Sequence, residues 1–425
     1  MRRIAWVLLL GTVIGCGASP APTKVVEAPQ AAEPKQVVVP VEVEALFATG
    51  QLAKAAETLT NLIAANPQDD TLHSLRATAL QRMGRPIDAI AELDRAIELN
   101  SQDASHYNNR GFVRMGIEQF DTAMVDFDKA TQLQPKYKNA YNNRGLLEIA
   151  RGNYERAIVE FNKALEIDNN YIDAYNNRGF AEFEDGQIEK ALDDFNIAIQ
   201  LDQNYVNAYN NRGLLRARAG DFENALNDFT LAMMIEPLNP KYYEHRRDVY
   251  KKLGTFDKAI QDEKKIAWLM QFHQLTAEIA RSIQPAAKLS ERARHYLRVE
   301  NLDSALDDLN RAIELNPQSV DALVTRANIH LQQKSMSRAK ADAETVLQIS
   351  QNDEAYSVLG DVYLHQGDYD KAIENFARAR RIDRSVAEAY YARSKEFAKK
   401  GQEDLAKSNL DQALALDPDV ESRLR

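Results

Sequence analysis

With one cysteine in 425 residues, Cys16, the chain has no partner for an intramolecular disulfide, so an oxidising compartment adds nothing to its fold. Glycine is held to 17 residues, and no phosphate-cradling glycine loop or Gly-x-Ser-x-Gly elbow is among them. The seven histidines form no His-x-His or His-x-x-x-His pair and no metal spacing with a carboxylate. Nucleotide, hydrolase and metal chemistry therefore lack their residues, and the reading is of no enzyme, no cofactor and no metal. Basic excess is missing too. The formal charge is −10, and without Arg2 and Arg3 the balance is 51 basic against 63 acidic residues. That disfavours nucleic acid and anionic membrane surfaces as non-specific partners, since both attract a basic face. Long apolar runs are absent but for one, at the very start.

That run covers residues 4–14 behind the basic Met1-Arg2-Arg3. At about 11 residues it is too short to span a bilayer and suits a cleavable signal. It ends in Val13-Ile14-Gly15-Cys16, which resembles the lipobox of bacterial lipoproteins. The resemblance implies a signal peptide over 1–15 and lipidation of Cys16 by several acyl chains (palmitate among them), enough to hold the protein on a membrane. An ordinary secretion signal or an uncleaved anchor competes with this, but a sole cysteine at this position favours lipidation. Residues 16–40 hold five of the chain's 13 prolines and read as an extended tether with no chemistry of its own.

The rest of the chain is repetitive. Tyr107-Asn108-Asn109-Arg110-Gly111 returns at residues 141–145, 175–179 and 209–213, always at the same interval. Each copy is followed at matching offsets by an aromatic or aliphatic residue, Ala, Phe and Ala. Two amphipathic helical stretches flank Gly186 in the third copy, with small Ala191 and Ala198 where helices must approach closely. A fixed period of this size marks a solenoid. The pattern resembles the tetratricopeptide repeat (TPR) family, which implies an all-α, right-handed superhelix (α-solenoid) of helix-turn-helix units. Steps of that one length place units near Thr71, Ser105, Asn139, Asp173, Asn207 and Lys241 after a degenerate first one, and near Ala287, Asp321, Glu354 and Glu388 after a break. These make about eleven units: array 1 over 41–270 (units 1–7), a helical extension over 271–286, and array 2 over 287–425 (units 8–11).

Two rows of residues stand out. The sixth residue of nearly every unit is Arg, with an acid at one constant offset further on, as in Arg110/Asp126, Arg144/Glu160, Arg178/Asp194 and Arg212/Asp228. Where Arg becomes Leu359 the partner becomes neutral Asn375, while Arg393/Asn409 is an exception. A half-buried guanidinium needs a carboxylate, so these read as structural ion pairs between the helices of a unit. The second row is Asn. It is a weak helix former, costing about 0.5 kcal/mol or more per site relative to Ala, yet each central unit carries two. By the resemblance, first helices line the concave face, and some family members hold a peptide backbone there with a ladder of asparagines. Asn109, Asn143, Asn177 and Asn211 fall on the matching position, beside Asn108, Asn142, Asn176 and Asn210. Phe112, Leu146, Phe180 and Leu214 would share the ligand-binding face. The alternative is that these Asn cap first turns and the apolar row packs helices. Array 2 has Glu291, Thr325, Val358 and Ala392 instead.

Apolar spacing runs unbroken from Ile266 to Ile283 until Pro285, predicting one helix over 255–283 that is either a cover for a repeat face or else a hinge or a self-association surface anchored by Trp268 and Phe272. The functional expectation is a lipid-anchored, protein- or peptide-binding adaptor in a bacterial envelope, on the periplasmic side of the outer membrane. A self-assembling scaffold, in which homo-oligomers form, and a cell-wall or carbohydrate binder are the alternatives. The latter needs exposed stacked aromatics, whereas Tyr107, Tyr141, Tyr175 and Tyr209 are expected between helices.

Overall fold

A computed structural model describes residues 41–424. The signal peptide, the tether and Cys16 lie outside them. The described residues form 23 helices and no strand, and none of these helices is long and apolar enough to cross a membrane. The helices pair antiparallel in sequence order, as in Ile172–Glu184 with Ile188–Leu201. The fold is an α-solenoid. Two compact units divide it, one ending at Ile260 and the other beginning at Gln261.

Local chemistry explains the hairpins. Asp69, Asp103, Asn239 and Ser319 each cap a first helix by accepting from a backbone N–H near its start. The turn inside each hairpin needs a left-handed residue, which recurs once per repeat as Gly152 (φ 78°), Gly186 (86°) and Gly220 (85°). Glu118 takes the same conformation at 61°, where its Cβ is strained.

The core repeats as well. Phe127, Phe161, Phe195 and Phe229 are fully buried, one per central unit. Each lies against a first-helix glycine: a Cβ on Gly111, Gly145, Gly179 or Gly213 would fall 2.5–2.9 Å from the ring. Where the chain has Ala293 in place of that glycine, it has Leu309 in place of the Phe. Glycine and the large ring are thus one packing decision, made jointly in each unit.

The helix expected over 255–283 is Phe256–Arg281, about 39 Å at 1.5 Å per residue. The idea of Trp268 and Phe272 as surface anchors is corrected. Trp268 stacks on Phe272 (5.5 Å between centroids) and on His295 (4.7 Å), and its indole N–H donates to the His295 carbonyl at 3.1 Å. Both aromatics are spent on packing against helix Ala286–Leu297.

Candidate functional site

The arginine row does more than join two helices. Arg178 makes two bonds of 2.7 Å to Asp194, on the second helix of its own unit, and its Nη1 donates at 2.6 Å to Asn162, in the unit before. Arg110 joins Asp126 (2.6 Å) and Asp94 (2.7 Å), and Arg212 joins Asp228 (2.7 Å) and Asn196 (2.6 Å). Arg144 is looser, at 3.4 Å from Glu160 and 3.5 Å from Asp128. Each guanidinium therefore bolts its own unit to the one before. The backward partner was missed from the sequence because it varies between Asp, Asn and Thr. Arg393 resolves its exception the same way: Asn409 accepts one bond, and Asp370 of the preceding unit supplies the carboxylate at 2.8 Å.

The asparagines form a relay. Asn211 donates to Asn176 Oδ1 at 2.9 Å, Asn177 to Asn142 at 3.0 Å, Asn143 to Asn108 at 2.9 Å, and Asn109 to Ser74 Oγ at 3.4 Å. Within units, Asn210, Asn176 and Asn108 donate to their neighbours Asn211, Asn177 and Asn109 at 3.3–3.4 Å. They sit about one turn and more inside their helices, so the reading of first-turn caps is overturned. The first turns are served by residues such as Asp103. All but Asn109 are buried. The amide oxygens that link one unit to the next are already accepting, and each linking nitrogen keeps one N–H over. A ligand would meet that remainder rather than a full amide.

His245 ends the relay, its Nδ1 2.8 Å from Asn210 Oδ1. Burial is the main cause that lowers its imidazole to about 4, with Lys241 adding to the effect. The ring is then neutral at pH 7, and since the oxygen must accept, Nδ1 carries the proton.

Over the relay, Phe112, Leu146, Phe180 and Leu214 are half-buried. They pack against the core and show an edge outward. A cavity of about 410 Å³ opens here, lined by Thr78, Gln81, Asn109, Phe112, Asn143 and Tyr171 among others. Tyr171 belongs to a row that sequence reasoning missed, Tyr137, Tyr171 and Tyr205, again one period apart. Burial, the largest cause, raises all three phenols. Tyr205 donates to Asp173 at 2.6 Å, and Lys138 lies over the Tyr171 ring at 4.7 Å while pairing with Asp168. Lys138 is thus paired within this face, while Asp173 keeps its charge under a hydrogen bond from a neutral phenol. Tyr107 and Tyr141 instead turn their hydroxyls to backbone carbonyls and Tyr209 is buried.

Asp70, Asp103 and His106 come together at one end of the row. His106 Nε2 lies 2.8 Å from Asp70. Burial would raise the Asp70 carboxyl, but the bonds from His106 and Asn100 outweigh it and hold it low. Coordinating a cation through Nε2 would push the proton to Nδ1, which is buried without a partner. The cluster acts as a hydrogen bond between units.

The unit beginning at Gln261 lines its groove differently. Arg381 reaches back over the first helix Asp353–Gln366 to Ser357 Oγ (2.9 Å) and Asp361. A cavity of about 580 Å³ there is walled by Leu331, Leu364, His365, Tyr391, Lys395 and Leu424.

Stacked hairpins with a lined groove define a recognition solenoid, a scaffold for protein interaction. Tetratricopeptide repeat family models match residues 46–109, 145–186, 181–220, 290–354, 360–401 and 387–420, together more than half of the chain. The chain belongs to the tetratricopeptide repeat family, whose members bind protein or peptide partners and are as a rule non-catalytic. Solved structures similar to it include YrrB, described as a TPR protein with an unusual peptide-binding site (25% identity, 43% of this chain and 94% of that one, TM-score 0.33). PilW, described as a widely conserved type IV pilus biogenesis factor, is 18% identical over 51% of this chain and 96% of its own (TM-score 0.43). A tetratricopeptide repeat protein from Parabacteroides merdae is 17% identical over 69% and 98% (TM-score 0.38). No curated protein sequence matches the chain.

Proposed function

We propose that the protein is a lipid-anchored adaptor of a bacterial envelope, held on the periplasmic side of the outer membrane through Cys16, and that it binds an extended peptide segment of a protein partner in the groove of units 3–6. The observation that carries the groove reading is the relay with its spare N–H groups beneath a half-buried apolar row. Spare donors at a regular interval suit successive peptide carbonyls whatever the side chains are. Phe112, Leu146, Phe180 and Leu214 offer apolar contact. The anchor rests on the sequence at residues 4–16.

The test couples two readouts. Replacing Cys16 by Ala releases the protein from the membrane fraction; retention would make residues 4–14 themselves the anchor. Affinity capture from envelope extract then compares the native groove with Thr78→Arg/Asn139→Arg, which fills the cavity without touching the relay. A partner caught by the first and lost by the second, with unchanged circular dichroism, supports the groove. Equal capture moves recognition to another face.

A further inference from the structure

Late in their first helices the four central units carry Arg114, Glu148, Glu182 and Arg216. The two arginines reinforce the bolt: each donates to the acid of its own unit, Asp126 or Asp228, at 2.7 Å. Glu148 has donors of its own, the Asn153 amide at 2.7 Å and Arg151 at 3.4 Å. Glu182 has nothing comparable. It is 5% exposed and lies against Asp194, within reach of a carboxyl–carboxylate hydrogen bond. Its Oε2 is buried without a partner. Asp194 is also buried, with both oxygens taken by Arg178.

The surroundings compensate only in part, since Arg178 and Lys190 favour the ionised Glu182 less than burial and Asp194 oppose it. From helix Ile188–Leu201, Glu182 faces Asp194 and Lys190, and from its own helix Arg178. The preceding second helix, Tyr154–Ile167, gives Arg178 only the neutral Asn162. On the following first helix, Arg212 and Arg216 are committed to Asp228 and Arg218 to Glu184. On the preceding first helix, Glu148 is held by Asn153 and Arg151. Two carboxylates in contact and out of water do not both stay ionised.

We propose that Glu182 carries a proton shared with Asp194, making the fifth unit's helix pair a proton-dependent lock that loosens when the proton leaves. Deprotonation sets two buried negative charges against one guanidinium, and helix Ile172–Glu184 yields against Ile188–Leu201. Burial first, and Asp194 second, raise the Glu182 carboxyl to about 7, so the lock turns in the neutral range. The native state then binds a proton that the unfolded chain releases near 4.5, so the contribution is whole below that pH and is lost as pH rises through about 7. Asn176, Asn177 and Phe180 ride on the same helix. The groove therefore follows the same proton, a corollary that rests on the groove reading, whereas the lock does not.

Full-length protein and its Glu182→Gln variant are compared by thermal unfolding from pH 4 to 8.5, with Glu148→Gln as control. The amide keeps a donor without the charge. The expected result is near-equal melting temperatures at pH 4 and a variant advantage that opens between about pH 4.5 and 7 and holds at several degrees to pH 8.5, absent in the control. Parallel curves would overturn the lock. Should the variant fold poorly, a carbon-13 titration of the native glutamate carboxyls decides: a Glu182 midpoint near 7 supports the proposal, and one near 4.5 refutes it. Hydrogen exchange localises the effect, with amides of residues 172–201 losing protection first as pH rises from about 4.5 to 7. Uniform loss along the chain would likewise count against it.

Discussion

The units on either side of Ile260 use the same bolt and different linings, and the contrast separates what the fold needs from what is added to it. Arg178 and Arg326 make matching sets of bonds: two of 2.7–2.9 Å to Asp194 or Asp342, and one of 2.6–2.8 Å back to Asn162 or Asn310. The asparagine pairs have no such counterpart. Where the first unit has Asn143 and Asn177, the second has Thr325 and Val358, and its first helices form equally well. A solenoid of this kind does not require the relay. Four units accept a weak helix former twice each and spend it on hydrogen bonds from one unit to the next.

The largest expected effect tests the shared part. Arg178→Met leaves Asp194 buried and unpaired beside Glu182, at a cost of about 3–5 kcal/mol in chemical denaturation. The double variant Arg178→Met/Asp194→Leu loses less, and Arg326→Met in the second unit behaves alike. Equal losses for the single and double variants would remove the bolt from the account.

A smaller effect tests the joint choice of glycine and ring. Gly179→Ala drives a Cβ to 2.9 Å from Phe195, costing about 1–3 kcal/mol as overpacking. Adding Phe195→Leu, the Ala293/Leu309 combination of the second unit, recovers part of the loss. A double variant worse than the single would show that the two positions are independent.

The smallest sharpens the difference between linings. Asn177→Ala strands the Asn142 oxygen and interrupts the relay, for about 1–2 kcal/mol. Val358→Ala at the matching place in the second unit removes only buried methyls, and its cost stays the same in the presence of a groove peptide. Only Asn177→Ala is expected to weaken peptide binding in a calorimetric titration.

Much of the solenoid was legible because a fixed period repeats the same local decisions: an N-terminal cap, a left-handed turn, an alanine at each close approach. The covariation of Arg with an acid at a constant offset showed the ion pairs before any contact was visible. Other features left no periodic trace. The backward partner of each arginine is whatever polar residue the previous unit offers, so it carries no single letter. The row Tyr137, Tyr171 and Tyr205 spans just three units and falls between helices, outside the pattern that defined the repeats. Trp268 and Phe272 looked like anchors because an amphipathic helix shows its apolar residues without showing what covers them.

The amino-acid sequence alone determined the helical period, the number of units and the place where the period breaks, since each rests on neighbours in the chain. Tertiary structure decided where the polar side chains spend their hydrogen bonds. Asn177 and Asn142, far apart along the chain, meet only when two units stack. Whether Glu182 holds a proton depends on a carboxylate that another helix brings against it, and on the burial that keeps water from separating the two.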